Sequence, residues 1–155
     1  MPVSKYGNKI VYIDGYKFDS KAEAKYYEQL KWSQLHNQIL FFRLQPRYQL
    51  QEAFKKNGRT FRKIEYVADF EVHNLDGSIE VIDVKGVETE GFKIKRKLFE
   101  KIYPHKLSLL TLDSTYGSIE LDDLKKLKKK NRKVNANAKA SKPRMGTPVS
   151  KRRRA

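Results

Sequence analysis

Apolar and polar residues alternate in two short runs near the start of the chain. Residues 9–13 and 16–18 are rich in β-branched and aromatic side chains, and Asp14 and Gly15 separate the two runs. An Asp-Gly pair between strand-like runs is a strong indication of a two-residue hairpin turn. The pattern therefore predicts a β-hairpin at this end of the chain.

The apolar spacing then changes to that of a helix. Tyr27, Leu30 and Leu35 recur at helical intervals, and Ser20 precedes them at a favourable N-cap position. Ser20 and Glu23 also have the S-x-x-E spacing of a capping box. We expect a helix that begins at Ser20 and fades near residues 36–37.

Several strands are expected next. Residues 39–44 form a short apolar run that stops at Gln45, a residue that could face a site formed by the strands. Residues 48–54 and 61–72 flank a basic turn with Asn-Gly at its centre. This arrangement predicts that the two flanking runs pair antiparallel.

Two further runs, residues 65–72 and 79–84, are joined by a segment rich in turn residues. Asp69 lies inside the first run, and Asp83 and Lys85 lie at the end of the second. Ionised side chains within apolar strands are costly unless they are paired or bind a metal. These three residues are therefore the first candidates for a functional site.

The remaining pattern predicts a helix over residues 92–103, a buried strand over 107–112 and a short helix over 119–130. Few aromatic residues and many charges predict disorder beyond that helix. The order of elements predicts an α/β (α+β) fold, with a mixed β-sheet flanked by helices. We expect a core domain over residues 1–130 and a disordered basic tail over residues 131–155.

Most of the positive charge belongs to the end of the chain. The net charge is +16, yet residues 124–155 hold 14 Lys or Arg and no acid, while the other residues have 20 bases against 18 acids, a net of +2. A cationic tail suits a nucleic acid, because binding releases counterions. A solubilising extension is the alternative interpretation.

Composition also excludes several classes of site. The absence of Cys excludes disulfides and thiolate metal sites. No apolar run approaches the roughly 20 residues of a membrane span, and the polar amino terminus is unlike a signal peptide. A cytoplasmic protein with no membrane partner is therefore expected.

Asp69, Asp83 and Lys85 have the chemistry for phosphodiester hydrolysis. Asp83 and Lys85 share one face of their strand, because side chains alternate, and a hairpin can bring Asp69 beside Asp83. Two neighbouring carboxylates repel each other, and a hard cation such as Mg²⁺ relieves the repulsion. A Lys beside them can stabilise charge that develops on a phosphate. The alternative is an ion pair among the three residues at the ends of strands.

The motifs resemble those of a known superfamily. Residues 67–70 (Val-Ala-Asp-Phe) and 83–86 (Asp-Val-Lys-Gly) resemble the active-site motif of the PD-(D/E)XK nucleases. Residues 18–24 resemble the early helix that supplies another acidic ligand in such enzymes. From residue 18 to about 112 the motif order is similar to that of phage endonuclease I-type Holliday-junction resolvases and related phage nucleases.

This resemblance implies a restriction-endonuclease-like core and Mg²⁺-dependent cleavage, with Mn²⁺ as a substitute. Lys85 would be the catalytic lysine. The expected metal ligands are the side chains of Asp69, Asp83 and Glu23 and the carbonyl group of Val84. The chain departs from the family pattern at Ala68, where Pro is expected. Glu23 also has an alternative role as a pure capping residue.

Basic residues follow the motif at the start of the predicted helix over residues 92–103. They are Lys93, Lys95, Arg96 and Lys97. They are expected to contact DNA phosphates beside the scissile bond, since phosphate contacts position a nucleic acid without reading its sequence. A solvated helix face is the equally weighted alternative.

The leading hypothesis is a Mg²⁺-dependent, structure-selective endonuclease that acts on branched DNA without a small-molecule cofactor. Symmetric cleavage of a four-way junction favours a homodimer. A phage origin, which the resemblance suggests, would place the protein in the cytoplasm of a bacterial host. The alternatives are a nicking or restriction-type endonuclease on the same fold and a non-catalytic nucleic-acid-binding protein that uses its basic tail.

Overall fold

A computed structural model describes residues 8–85 and 87–140, which form eleven strands and three helices. The strands are β1 (Val11–Ile13), β2 (Tyr16–Phe18), β3 (Ile39–Leu44), β4 (Arg47–Gln51), β5 (Phe54–Lys56), β6 (Arg59–Phe61), β7 (Ile64–Val67), β8 (Phe70–Asn74), β9 (Ile79–Val84), β10 (Lys106–Asp113) and β11 (Gly117–Glu120). The helices are α1 (Lys21–Leu35), α2 (Glu90–Ile102) and α3 (Leu121–Ala140).

A five-stranded sheet organises the fold, with the strand order β11-β10-β9-β8-β3. The sheet is mixed, because β9 and β10 run parallel while the other neighbouring strands run antiparallel. Helix α2 lies between β9 and β10 in the sequence, as a parallel connection requires. The predicted α/β (α+β) fold with a mixed sheet and helices is confirmed.

The sheet has a separate apolar core on each face. On one face, Ile82 packs with residues from α1 and the β1–β2 hairpin. On the other face, Val81 packs with Phe99 of α2 and with residues from β4 and β7. Adjacent residues of β9 thus enter opposite cores, as the alternation of side chains along a strand requires.

Local sequence signals account for the first elements. Asp14 and Gly15 have φ values of 51° and 81°, which suit the predicted two-residue turn between β1 and β2. Ser20 caps α1, and its side chain accepts a hydrogen bond from the Glu23 backbone N–H. The predicted hairpin and first helix are confirmed.

Two long segments of chain form a bent two-stranded ribbon. Strand β3 pairs with β8 and strand β4 pairs with β7, both antiparallel. Between these pairs, Gln45 donates its backbone N–H to the Asp69 carbonyl at 2.9 Å, and Ala68 donates to the Pro46 carbonyl at 3.1 Å. The ribbon therefore keeps its register while it passes from the five-stranded sheet into a separate two-stranded sheet.

This bend corrects the prediction of one continuous strand over residues 65–72. The run is divided into β7 and β8, and Ala68 and Asp69 lie between them. The two strands belong to different sheets, so the chain must turn at that point. The predicted antiparallel pairing on either side of the Asn57-Gly58 turn is confirmed.

The last part of the described chain differs from the prediction. Strand β11 occupies the residues where a helix was expected to begin, and α3 continues to Ala140. The first ten residues of the predicted disordered segment are therefore helical; residues 141–155 lie outside the described residues. Leu, Lys, Arg and Ala favour helices, and no Gly or Pro occurs between residues 121 and 140.

The chain divides after Leu121 into two compact units, residues 1–121 and 122–155. All residues of α3 after Leu121 belong to the second unit, and the first turn of this helix contains Asp122 and Asp123. These acids pair with Lys125 and Lys126 at i,i+3 spacing, an arrangement that favours the start of a helix. No helix in the described part of the chain is long and apolar enough to cross a membrane.

Candidate functional site

Strand pairing brings Asp69 and Asp83 together. Strands β8 and β9 run antiparallel, with Phe70 opposite Ile82. The same register places Asp69, one residue before β8, beside Asp83 near the end of β9. The Asp69 backbone N–H also donates to the Ile82 carbonyl at 3.1 Å. The expected approach of the two carboxylates is therefore present in the fold.

Asp83 is held by two side chains that donate to different oxygens. Its side chain is only 4% exposed. The Tyr66 hydroxyl donates to Oδ2 at 2.6 Å, and the Lys85 Nζ lies 3.0 Å from Oδ1. Lys85 also lies over the Phe92 ring, 4.7 Å from its centroid. These contacts fix the carboxylate and the ammonium group in one orientation.

Asp69 lies in a strongly negative environment. Its Oδ2 accepts a 2.7 Å hydrogen bond from the Val84 backbone N–H. The pKa of Asp69 is raised from 3.8 to about 8, first by burial and then by the charges of Asp83 and Glu23. The hydrogen bond from Val84 lowers the pKa and only partly offsets these effects. Burial is the largest cause of this shift, and the contributions of Asp83 and Glu23 indicate that the three acids lie close enough to interact.

Glu23 both caps α1 and belongs to this acidic group. Its Oε1 accepts from the Ser20 hydroxyl and its Oε2 from the Asp19 backbone N–H, each at 3.1 Å. The pKa of Glu23 is nevertheless raised, first by burial and in part by the charge of Asp83. The capping role is confirmed, and the predicted metal ligation remains compatible with it.

A cavity of about 290 Å³ opens beside Asp69 and Glu23, and Asp83 and Lys85 are not part of its lining. Gln45 lines it and has a φ of 48°, in the left-handed region that non-glycine residues seldom occupy. That conformation lies at the bend of the ribbon, directly opposite Asp69. The cavity is lined by Tyr16, Lys17, Phe18, Asp19, Glu23, Leu44, Gln45, Asp69 and Phe70.

The donors at this position suit a hard divalent cation. Mg²⁺ prefers oxygen ligands and is usually held by one or two carboxylates together with waters and substrate phosphates. Carboxylate oxygens are offered by Asp69, Asp83 and Glu23. The residue after Asp83, Val84, adds a backbone carbonyl group. Within residues 8–85 and 87–140, no group of three or more His, Cys, Asp or Glu side chains is arranged so that it could hold a metal ion. A cation at these acids would therefore need further ligands from water or substrate.

The basic residues at the start of α2 differ in how they are held. Lys93 pairs with Glu90 at 2.7 Å, and Arg96 pairs with Glu88 at 3.0 Å. Lys97 is exposed, while Lys95 is half-buried. Lys93 and Lys97 share one face of the helix because they are four residues apart. DNA contact by this group stays a prediction.

Tyr66 is a site residue that the sequence pattern did not single out. It is one of the most buried residues of the core, and its hydroxyl donates to Asp83, seventeen residues away. A buried Tyr usually requires a hydrogen-bond partner. The position of Tyr66, three residues before Asp69, was therefore the one sequence feature that pointed to a role at the site. The partner itself depends on the strand pairing.

Comparison with known families gives one match. Residues 3–118 match the family described as protein of unknown function (DUF1064). The match spans about three-quarters of the chain, and the chain belongs to this family. Neither the curated proteins nor the solved structures gave a match.

Proposed function

We propose that this member of the DUF1064 family is a divalent-metal-dependent endonuclease that acts on branched DNA. The observation that carries the proposal is the convergence of Asp69, Asp83 and Glu23 next to Lys85. Burial and mutual repulsion raise the pKa of Asp69 to about 8. Ionising a buried carboxyl group beside two others costs free energy. A purely structural role gives no reason to place the three acids together.

The site residues divide the work of phosphodiester hydrolysis. Asp69, Asp83, Glu23 and the Val84 carbonyl would hold Mg²⁺, or Mn²⁺ in its place. The bound cation would lower the pKa of water and neutralise charge on the scissile phosphate. Lys85, oriented by Asp83 and Phe92, can place its ammonium group against a phosphate oxygen or hold a water molecule in line.

The substrate part of the proposal rests on the motif order. Residues 67–70, 83–86 and 18–24 occur in the order that is typical of phage junction resolvases of the PD-(D/E)XK superfamily. A four-way junction has two-fold symmetry and must be cut at two points. A homodimer with two identical sites is the simplest form that meets this requirement.

A cleavage panel tests both parts of the proposal. Purified protein is incubated with a labelled four-way junction, a linear duplex of the same sequence and the single strands, with Mg²⁺ or with EDTA. We expect the junction to be cut first, and only with the metal. Equal loss of all three substrates, or of none, would reject the junction specificity.

Substitutions at the site test the catalytic residues. Asp83→Ala and Lys85→Ala are expected to reduce cleavage by about 100- to 1,000-fold, the loss seen when one charge-stabilising group is removed. The first variant removes a proposed metal ligand, and the second removes the ammonium group proposed to act on the phosphate. Junction binding in Ca²⁺ should persist in both variants. Unchanged cleavage in either variant would remove that residue from the mechanism.

The same panel separates two alternatives. Preferential cutting of linear duplex at one sequence would indicate a nicking or restriction-type endonuclease on this fold. Metal-independent binding without cleavage would indicate a nucleic-acid-binding protein, which the 14 cations in residues 124–155 favour. Against that alternative, an uncompensated acidic cluster weakens phosphate binding unless a metal is bound.

A further inference from the structure

Beyond β4 and β7, the ribbon ends in a small hairpin that we call the finger, residues 54–63. Strands β5 and β6 pair antiparallel around Asn57 and Gly58, whose φ values are 51° and 72°. Every residue of the finger is exposed. The finger therefore adds little to the core of the protein, and its composition needs another explanation.

The charge of the finger is entirely positive. It contains five cations and no acid, and Lys63 pairs with Glu65 at 2.7 Å. For the other four, no ion pair occurs with any carboxylate in residues 8–85 and 87–140. These four cations are Lys55, Lys56, Arg59 and Arg62. A concentration of unpaired cations on a projecting hairpin is suited to a polyanion.

Two aromatic rings accompany these cations. Phe54 and Phe61 are paired across the strands, and their rings stack with centroids 4.8 Å apart at an angle of 9°. They remain 44% and 37% exposed. The Arg59 guanidinium lies over the Phe61 ring at 5.4 Å from its centroid. An apolar pair is thus presented to solvent instead of being buried.

The aromatic pair and two cations share one face of the finger. Side chains two residues apart on a strand point the same way, and directly opposed residues lie on the same face. Phe54 and Phe61 therefore share a face with Lys56 and Arg59, which are opposed nearer the tip. Aromatic rings flanked by cations are suited to nucleic acid, since the rings meet sugars or bases while the cations meet phosphates.

The finger also lies close to the candidate site along the chain. Phe61 precedes Asp69 by eight residues, and a strand advances about 3.3 Å per residue, so the two lie at most about 26 Å apart along the ribbon. That span is less than one turn of duplex DNA, which is about 34 Å. One DNA arm can therefore contact the finger while its phosphate backbone reaches the site.

We propose that the finger is a DNA-binding element that contacts an arm of the substrate through Lys56, Arg59 and the Phe54–Phe61 pair. This inference rests on the proposed endonuclease function for its choice of DNA as the partner. The finger then supplies affinity and positioning, and the acidic site supplies the chemistry. Because the contacts are to phosphates and to partly exposed aromatic side chains, the finger binds without strict sequence preference.

Binding measurements on the full chain test the finger directly. Fluorescence anisotropy is recorded with a labelled four-way junction in EDTA over a range of salt concentrations. The double variant Lys56→Ala/Arg59→Ala should bind about 10-fold more weakly, and its slope of log K against log salt should fall by about 1.8, since each lost phosphate contact removes about 0.9. Phe54→Ala/Phe61→Ala should also weaken binding but leave the slope unchanged.

A matched control removes the same charge elsewhere. Lys25→Ala/Lys101→Ala replaces two exposed lysines, on α1 and α2, that take part in no ion pair with the described residues. Its affinity should change less than about twofold. Circular dichroism should show wild-type folding for all three double variants, because every replaced residue is exposed. Wild-type affinity and slope in both finger variants would overturn the inference.

Two further outcomes separate the finger from other possibilities. If the finger variants change only the oligomeric state in sedimentation and leave DNA affinity per protomer intact, the finger is a contact between copies of this chain and the inference is overturned. If the wild-type protein fails to cleave any DNA while the finger variants lose affinity, the proposed endonuclease fails and the finger stands. If the wild-type protein cleaves DNA and the finger variants bind as tightly as wild type, the proposed endonuclease stands and the finger inference fails.

Discussion

At the scale of single residues, the chemistry depends on how three carboxyl groups are compensated. Asp83 receives a hydroxyl and an ammonium group, whereas Asp69 receives a backbone N–H and otherwise faces the charges of Asp83 and Glu23. Burial, and after it these two charges, raise the pKa of Asp69. A bound cation would supply the missing positive charge and favour the ionised form.

The raised pKa of Asp69 predicts a pH-dependent stability in metal-free protein. The pKa rises from 3.8 to about 8 on folding, so the folded state keeps a proton that the unfolded chain releases, and stability is lost as the pH increases from about 4 to 8. Asp69→Asn removes this penalty. Each pKa unit is worth about 1.4 kcal/mol, so the variant should be more stable than wild type at pH 8 by at least about that amount.

Thermal melts in EDTA at pH 4, 6 and 8 measure this difference, which should grow with pH and be smallest at pH 4. Glu28→Gln, at an exposed position of α1, is the control and should show no such trend. Adding Mg²⁺ should raise the Tm of wild type at pH 8 and leave that of Asp69→Asn nearly unchanged. A difference that is constant with pH would contradict the electrostatic explanation.

Tyr66→Phe tests the support of Asp83. The variant keeps the aromatic ring and loses the 2.6 Å hydrogen bond to a buried carboxylate. We expect a loss of about 1.5 to 3 kcal/mol in the free energy of unfolding, typical of a bond to a charged group. If Asp83 binds the metal as proposed, cleavage should fall by about 10- to 100-fold, the loss typical of residues that orient a metal ligand.

Urea unfolding and cleavage rates at saturating Mg²⁺ provide the two measurements for Tyr66→Phe. Tyr103→Phe is a suitable comparison, because the Tyr103 hydroxyl donates to the Gln49 carbonyl at 2.9 Å on an exposed part of the chain. It should retain full cleavage. If Tyr66→Phe cleaves as fast as Tyr103→Phe, Tyr66 has only a structural role.

At the scale of elements, the bend in the ribbon creates the site. Pairing continues in register through Gln45 and Pro46 opposite Ala68 and Asp69, so the bend directs the Asp69 side chain toward Val84 and Asp83 without breaking the ribbon. Gln45 adopts a left-handed conformation there, which costs on the order of 1–2 kcal/mol for a residue with a Cβ. Strained backbone of this kind is concentrated at functional positions.

The PD-(D/E)XK motif that this chain resembles has Pro at the position of Ala68. The backbone of Ala68 makes a hydrogen bond that Pro could not make. Its N–H donates to the Pro46 carbonyl, and the residue is only 1% exposed. Ala68→Pro would remove the donor and add atoms to a packed position. We expect a loss of about 3 kcal/mol, the combined cost of an unsatisfied carbonyl and overpacking.

Chemical denaturation is the appropriate measurement for Ala68→Pro. Ala68→Gly is the matched control, since it keeps the N–H donor and loses only the methyl group, and it should cost about 1 kcal/mol. Equal stability of the two variants would show that the hydrogen bond at the bend contributes nothing. A folded Ala68→Pro protein should also cleave more slowly, because Asp69 is displaced with the bend.

At the scale of the whole molecule, positive charge and the acidic site are separated along the chain. Residues 1–121 contain the acids of the site and the finger, while residues 122–155 contain 14 of the 34 Lys and Arg residues. Each basic region can contact a polyanion through cations that do not belong to the acidic site. Affinity and catalysis should therefore be separable by mutation.

Neutralising the last cations tests this separation. The full chain carrying Lys151→Ala, Arg152→Ala, Arg153→Ala and Arg154→Ala should bind DNA at least about 10-fold more weakly near physiological salt, with a smaller salt dependence. Its cleavage rate at saturating DNA should equal that of wild type. A lower rate at saturation would show that this segment takes part in the chemistry, and unchanged affinity would show that it does not meet DNA.

The sequence by itself determined most of the elements and the candidate residues. Turn pairs such as Asp14-Gly15, the Ser20–Glu23 cap and the two-residue alternation that places Asp83 and Lys85 on one face all act over a few neighbouring positions. Such local signals are present in the chain before it folds. The helical segment over residues 131–140 was also encoded locally, but its charge resembled that of a disordered tail.

Only the tertiary structure decided how distant positions meet. The division of residues 65–72 into two strands, the Tyr66 hydrogen bond to Asp83 and the raised pKa of Asp69 all depend on which strands pair and what they bury. The partial exposure of the stacked Phe54–Phe61 pair likewise depends on which other elements cover it in the described fold. Burial and long-range pairing are properties of the whole chain, so no local pattern specifies them.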